Sequence, residues 1–316
     1  MLDFLPTLLV GGLYVIVQTS GLGILTHLQM GLTRTANFGV VGFWGLGLYT
    51  FGVVYARIDW PFGDPWQFLI ATIAATVLSG LAGLLVAWVI ADLDVDGALV
   101  GTLGFAVIVF NLATVWTGLT EGARGLRGIR FPFDAGNSSS DEFVWLLITA
   151  AVVLGIFLYA RWVHRSPFGR LLIAIGGNEP LARSLGKSTT SAKLRLFATT
   201  SALMGLLGAL QAVWFRFVAP FHIPVTVTLA VLAAMILGGT ARVWGPIVGT
   251  IIIVGFFDVI LQFYITVPAS WAPQAVPVAR EAIFGLVLIL VLIFRPRGIL
   301  GEMNRPKLMR RMHDFN

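Results

Sequence analysis

Long runs of apolar residues, separated by short polar stretches, dominate the chain. An α-helix needs about 20 apolar residues to cross roughly 30 Å of hydrocarbon, and runs of about this length recur along nearly the whole sequence. Both faces of these runs are apolar, whereas the strands of a membrane barrel alternate between apolar and polar positions. The pattern therefore predicts an all-α polytopic membrane protein.

The apolar runs predict about nine membrane spans, within a range of about eight to ten. The expected spans are residues 7–28, 36–56, 68–91, 98–118, 143–160, 196–215, 226–238, 246–265 and 282–294. Gly-rich stretches at 39–52 and 97–104 could instead form broken or re-entrant segments. The first span begins near Met1 and others follow it, so we interpret it as a retained helix rather than a cleaved signal peptide. Residues 1–316 are expected to form a single transmembrane domain.

Composition supports this class and removes several kinds of chemistry. The chain is 57% hydrophobic and 11% charged, with a mean hydropathy of +0.89. It has no cysteine, which excludes disulfides, thiolate metal sites and thiol nucleophiles. The histidines are far apart and show no metal-ligand spacing, so we expect interfacial or loop side chains and no metal site; they are His27, His164, His222 and His313.

Charge predicts the orientation of the chain. Residues 161–195 carry a net charge of +6 and residues 295–316 a net charge of +4. Short segments rich in Lys and Arg remain in the cytoplasm, so a cytoplasmic loop and a basic cytoplasmic tail are expected there, and nucleic acid is not an expected partner. The loop at 119–142, with three Arg and four carboxylates, is then external, as is the N-terminus.

One acidic turn opposes this topology. Asp92, Asp94 and Asp96 lie where the chain is expected to turn in the cytoplasm. Acidic residues contribute little to the orientation of a membrane protein, so the predicted topology stands.

A short helix is predicted within the basic loop. Asn178 is a favourable N-cap, Glu179 complements the positive helix end, and Pro180 is tolerated in the first turn. Gly186 is a natural stop, which leaves a helix of about seven residues and roughly 10 Å. Such a helix is too short to span a bilayer, so it should lie along the cytoplasmic surface.

The predicted surface helix has a small apolar ridge. Leu181 and Leu185 are four residues apart and share one face. Two interpretations remain open from these residues alone. The ridge could rest on lipid headgroups while the nearby cations touch anionic lipid, or it could dock on a partner protein.

Four stretches together resemble the permeases of branched-chain amino acid ABC transporters, of the LivM type. They follow the family's order along most of the chain and are SPFGRLLIAIGGNEPLARSLGKSTTSAKLRLFATTSALMGLLGALQA at 166–212, WTGLTEGARGLRGI at 116–129, LGGTARVWGPIVG at 237–249 and GLVLILVLIFRPRGILG at 285–301. The first is similar to the family's cytoplasmic coupling segment. The resemblance implies that the short helix docks on an ATPase through Asn178, Glu179, Pro180, Leu181, Ala182, Arg183, Ser184, Leu185 and Gly186.

The resemblance also implies the partners of the chain. They are a second permease subunit that completes a heterodimer, two ATP-binding subunits that hold ATP and Mg²⁺, and an extracytoplasmic substrate-binding protein. The chain would lie in the bacterial inner membrane with its C-terminus in the cytoplasm, in contact with lipid. The family default substrate is a branched-chain amino acid, and another small polar solute is the alternative.

Three residues are candidates for the translocation path. The segment NFGVVGFWGLGLYT at 37–50 resembles the family's path-lining segment and contains Asn37 and Gly39, although Val40 stands where the family commonly carries His or Gln. Asn37 could equally form an interhelical hydrogen bond, and the glycines could serve close packing. Asp258 is an intramembrane carboxylate, which suggests a proton or ion role unless it lies near the outer interface.

Other function classes have little support in the sequence. No G-x-x-x-x-G-K-[ST] motif is present, so ATP hydrolysis is assigned to partner subunits and no cofactor to this chain. The chain also lacks H-E-x-x-H and G-x-S-x-G arrangements, which argues against an enzyme. An ion-coupled secondary transporter is the remaining alternative, and it rests on Asp258 alone.

Overall fold

The computed structural model describes residues 4–58, 64–132, 138–240, 242–260 and 285–286. The secondary structure in these ranges is helical, apart from one isolated β-bridge. The α-helices are α1 Phe4–His27, α2 Val40–Arg57, α3 Asp64–Val89, α4 Val95–Val115, α5 Thr117–Thr120, α6 Ser138–Arg165, α7 Pro167–Gly177, α8 Glu179–Ser184, α9 Thr189–Phe215, α10 Val225–Gly238 and α11 Gly245–Thr250. Leu28–Leu32 and Ile251–Ile260 are π-helical, and Gly122–Arg124 and Pro220–His222 form 3₁₀ turns.

Six helical stretches among the described residues are long and apolar enough to cross a membrane. They are Leu9–Leu32, Pro65–Val89, Val95–Val115, Ser140–Arg165, Thr189–Phe215 and Pro220–Gly238. The all-helical membrane class is thus confirmed, whereas the predicted count of nine spans is not. The predicted span 36–56 corresponds to α2, which falls outside the six. The predicted span 246–265 is described only as far as residue 260, and 282–294 only at residues 285–286. The tail at 295–316 lies outside the described residues.

Helix α2 lies at the centre of the bundle, and most of its 18 residues are buried. It packs against α3, α9 and α4. Its glycines make this possible, because a Cβ on Gly47 would overlap the backbone of Gly205 in α9. In return, a Cβ on Gly208 would overlap the carbonyl oxygen of Trp44. Backbones that approach this closely gain van der Waals contact, which is a main driving force for helix association in lipid.

The polar connections gather at two opposite ends of the bundle. At one end Arg57, at the close of α2, forms an ion pair with Glu121 (3.2 Å), and Leu126 pairs with Val218 after α9. At the other end, residues 33–36, most of the turn between α3 and α4, and Ile175, Gly176 and Glu179 line one cavity. The connections therefore alternate between the ends as the sequence requires, while the cytoplasmic assignment of the second end stays a prediction.

Single cysteines in this cysteine-free chain test the orientation. Ala123 and Lys187 are exposed at opposite ends of the bundle. We expect an impermeant maleimide added to intact cells to label Ala123→Cys and to spare Lys187→Cys until the cells are opened, because the basic loop remains in the cytoplasm. The reverse pattern would show that the chain is inserted the other way round.

The close α2–α9 packing predicts an unequal response to glycine replacement. Gly47→Ala should lower the thermal unfolding temperature of the purified protein, since overpacking typically costs about 1–3 kcal/mol. Gly104→Ala in α4 is the matched control, because no heavy atom lies within 4 Å of its Cβ position. It should be neutral or slightly stabilising, as Ala favours a helix over Gly. Equal unfolding temperatures for the two variants would contradict close packing at Gly47.

Candidate functional site

A break in the helical backbone separates α1 from α2. The end of the first span is π-helical from Leu28 to Leu32, and residues 34–39 form no helix before α2 begins at Val40. Asn37 within this break is fully buried. Single π-helical turns are rare and often mark functional positions, because they displace side chains from the regular helical register.

The side chain of Asn37 joins the two sides of the break. Its Nδ2 donates to Oε1 of Gln29 (2.5 Å), and its Oδ1 accepts from the backbone N–H of Gly39 (2.8 Å). Gln29 Nε2 in turn donates to the hydroxyl of Thr200 in α9 (2.6 Å). The two amides of Asn37 and Gln29 thus connect the π-helical turn, the break and a neighbouring span.

Threonine hydroxyls from two other spans accept hydrogen bonds from the backbone at the start of α2. The backbone N–H of Phe38 donates to Thr102 Oγ1 in α4, and that of Val41 donates to Thr228 Oγ1 in α10, each at 3.0 Å. The N–H groups at the start of a helix have no partner within it, and a buried helix end cannot rely on water to supply one. Side chains from α4 and α10 therefore take the place of water at this helix end.

The geometry gives Asn37 an interhelical hydrogen bond, which was one of its two interpretations, and its role in lining a path stays a prediction. Gly39 is also buried, and a Cβ there would overlap the carbonyl oxygen of Thr102. Asp258 falls in the π-helical segment Ile251–Ile260, but its side chain lies outside the described residues. The sequence analysis missed four network members, although isolated polar residues in apolar runs are a signal for such sites; they are Gln29, Thr102, Thr200 and Thr228.

The predicted short helix is present as α8. Asn178 caps it by accepting from the N–H of Leu181 (3.0 Å), and Gly186 follows with a φ of +75°. The helix begins at Glu179 as predicted and ends at Ser184, one residue earlier than predicted. Leu181 and Leu185 are 56% and 71% exposed. The apolar ridge therefore faces outward.

Helix α8 is fixed to α9 through one carboxylate. Glu179 accepts a hydrogen bond from Lys193 and forms a second ion pair with Arg183 (3.5 Å). Partial burial acts to raise the pKa of the Glu179 carboxyl, but the hydrogen bond and charge of Lys193, with smaller effects of Thr189 and Arg183, hold that pKa below its ordinary value. The carboxylate therefore stays ionised and keeps its partners at neutral pH.

A previously unpredicted helix connects α6 to α8. Ser166 caps α7 by accepting from the N–H of Gly169 (3.0 Å), and Pro167 occupies its first turn. Near its end, a Cβ on Gly176 would overlap the carbonyl oxygen of Leu32. The segment that leads into α8 therefore lies directly against the π-helical turn at the break.

The acidic turn between α3 and α4 lies beside α8. Asp92 and Leu93 form one wall of a groove of about 570 Å³ whose other wall belongs to α8: Glu179, Pro180, Arg183 and Ser184. Leu93 is 49% exposed, and Asp94 caps α4 by accepting from the N–H of Gly97 (2.9 Å). In the sequence these carboxylates stand out only as an exception to the charge rule, whereas the fold brings them to the end of the bundle that carries α8.

Two histidines come together, which corrects the expectation of separate interfacial or loop residues. The Nε2 atoms of His27 and His164 are 3.4 Å apart, so one donates to the other, and the rings stack. His27 is buried. Their separation in sequence by 137 residues hid this pairing. Within the described part of the chain no group of three or more metal-ligating side chains occurs.

Comparisons with known proteins identify the family of the chain. A family model described as "Branched-chain amino acid transport system / permease component" matches residues 7–292. The chain belongs to this permease family. It is 28% identical over 311 residues to the high-affinity branched-chain amino acid permease LivM of Salmonella typhimurium, covering 91% of this chain and 68% of the relative. Its identity to the ribose import permease RbsC of Escherichia coli is 29% over 206 residues, or 60% of each chain.

The relatives determine the class of function. They also include the autoinducer 2 import permease LsrC of Yersinia pestis, which is 26% identical over 84% of this chain and 71% of the relative. No solved structure matches the chain. The protein is a multi-pass transport permease of the ABC importer class, and ion-coupled secondary transport is not favoured.

The hydrogen-bond network predicts that loss of the Asn37 amide strongly destabilises the protein. Asn37→Ala should lower the free energy of unfolding by about 1–3 kcal/mol, because it leaves the side-chain oxygen of Gln29 and the Gly39 N–H without their partner in the interior. Asn111→Ala in α4 is the matched control, since Asn111 is exposed and donates to Val107 O in its own helix. It should change stability by less than about 0.5 kcal/mol. Unfolding in mixtures of SDS and a mild detergent measures both, and equal losses would contradict the network.

Proposed function

We propose that the chain imports branched-chain amino acids, or a related small polar solute, by alternating access, and that α8 docks on an ATP-binding subunit. The observation that carries the docking proposal is the outward-facing ridge of Leu181 and Leu185 on a helix that is fixed to the bundle. Exposed leucines at a polar end of the bundle gain about 1.5–3 kcal/mol each when a partner buries them. The substrate class follows the printed function of the LivM relatives.

The surroundings of α8 favour a protein partner over lipid headgroups. The groove beside α8 carries the carboxylate of Asp92 and the exposed side chain of Leu93. Anionic headgroups would attract Arg183 but repel Asp92 on the opposite wall of the groove, so a surface of one charge sign complements only part of the groove. A protein surface with an apolar pocket and a basic rim is complementary to the ridge and to the acidic turn together.

The proposed assembly follows from this role. The chain pairs with a second permease subunit in a heterodimer, two ATP-binding subunits hold ATP and Mg²⁺, and a binding protein delivers substrate from outside. This chain itself binds no cofactor and no nucleic acid. It lies in the bacterial inner membrane, with residues 119–142 external and with 161–195 and the 295–316 tail in the cytoplasm.

The translocation path is proposed to pass near the break before α2. Alternating access needs an element with two arrangements, and irregular backbone at membrane depth is tolerated where protein surrounds it or water fills a cavity beside it. Asn37 and Gly39 lie in this break and stabilise it. Asp258, in the segment Ile251–Ile260, stays a separate candidate for the path. A cavity of about 310 Å³ reaches Thr33 and Thr35 from the end that carries α8.

Charge reversal of the ridge tests the docking proposal. Leu185→Asp should abolish co-purification of the ATP-binding subunits and stop substrate uptake, because docking would bury a carboxylate against apolar surface at a cost of several kcal/mol. Arg183→Ala should have a small effect, since an exposed ion pair is worth about 0–1 kcal/mol. Binding-protein-stimulated ATP hydrolysis in reconstituted vesicles is the second measurement.

A matched control separates docking from folding. Leu119→Asp places the same charge on an exposed leucine at the opposite end of the bundle and should leave ATPase co-purification unchanged. A Leu185→Asp protein that still assembles and transports would show that α8 rests on lipid.

A further inference from the structure

Helices α6 and α9 run antiparallel and are joined at two places. Near one end of the bundle Trp145 Nε1 donates to Leu210 O (3.0 Å), and toward the other the hydroxyl of Tyr159 donates to Thr199 Oγ1 (3.2 Å). The two bonds lie 14 residues apart along α6, or about 21 Å at 1.5 Å per residue. The surface between these two bonds belongs to two helices that are long and apolar enough to cross a membrane.

A groove of about 480 Å³ opens between these two connections. Its apolar lining comes from both helices: Val152, Gly155, Ile156, Ala202, Leu203 and Leu206. Gly155 is exposed, and no heavy atom lies within 4 Å of the position its Cβ would take. The absence of a side chain at this point keeps the groove open along α6.

One end of the groove is polar. Tyr159 and Thr199, which share the hydroxyl hydrogen bond, also line the groove. Arg195 is exposed one helical turn beyond Thr199, toward the end of the bundle where α9 begins. Trp162, 64% exposed, stacks against Tyr159 with ring centroids 6.3 Å apart. Trp and Tyr are enriched where a membrane meets water, so this end of the groove is at headgroup depth.

We propose that the groove binds an anionic phospholipid. An acyl chain fills the apolar part, the hydroxyl pair lies at the depth of the ester groups, and Arg195 extends to the phosphate. Apolar lining, hydroxyls and a cation follow one another in the order in which a phospholipid presents its chain, esters and charge. A long basic side chain near a helix end reaches the headgroups while its stem covers apolar surface.

Native mass spectrometry of the full chain, purified with the subunits that accompany it, tests the proposal. Delipidated protein is incubated with dioleoyl phosphatidylglycerol or with dioleoyl phosphatidylcholine in detergent, and retained lipid is measured. The unaltered protein should retain phosphatidylglycerol at least about fivefold better, since one Arg near an anionic headgroup contributes about 1 kcal/mol. Equal retention of the two lipids would overturn the proposal.

Two pairs of variants test the contacts with the acyl chain and the contact with the headgroup separately. Gly155→Leu fills the groove and should reduce retention of both lipids about tenfold, whereas Gly104→Leu on α4, which also has free space at its Cβ position, should not. Arg195→Gln should remove the preference for phosphatidylglycerol, whereas Arg170→Gln on α7 should preserve it. Arg195 is exposed, so its replacement tests the proposal without disturbing the fold.

Two outcomes would contradict a lipid site. Unchanged retention in both Gly155→Leu and Arg195→Gln would show that lipid binds elsewhere. Loss of the second permease subunit from Gly155→Leu, with lipid still retained, would identify the groove as a subunit interface.

Discussion

The requirement that every buried backbone polar group finds a partner inside the protein governs the break between α1 and α2. An N–H that is buried away from water without a partner costs several kcal/mol, so a buried segment that leaves the helical conformation needs hydrogen-bond partners from the rest of the protein. Here three side chains accept from the backbone: the amide oxygen of Asn37 and the hydroxyls of Thr102 and Thr228. Gln29 in turn holds the Asn37 side chain in place. The break therefore fixes how α4 and α10 approach α2.

Close packing around α2 follows from the same constraint. Side chains as short as threonine reach the start of α2 only if the neighbouring backbones are near, and Gly39 allows this by leaving no side chain against the Thr102 carbonyl. Further along α2, Gly47 meets Gly205 of α9 in the same manner. The glycine content that the sequence shows as a simple abundance thus has a specific use, which is to place helices within reach of short polar side chains.

The sequence predicted local features well and pairings poorly. The bounds of α8 follow from Asn178 and Gly186, because capping depends on neighbouring residues alone, and the all-helical class follows from the apolar runs. The network at the break could not be predicted, because Gln29 and Thr200 are 171 residues apart and nothing local marks them as partners. The His27–His164 pair was missed for the same reason. Span number was uncertain where glycine, aromatic and charged residues dilute an apolar run, as in α2.

The proposed docking helix and the break are joined by direct contacts. Gly176, two residues before Asn178, lies against the Leu32 carbonyl, and Glu179 holds Lys193 of α9. Lys193 and Thr200 are seven residues apart, about two turns, so they share one face of α9, and Thr200 accepts from Gln29. A displacement of α8 would therefore act on the break from two directions, through α7 and through α9.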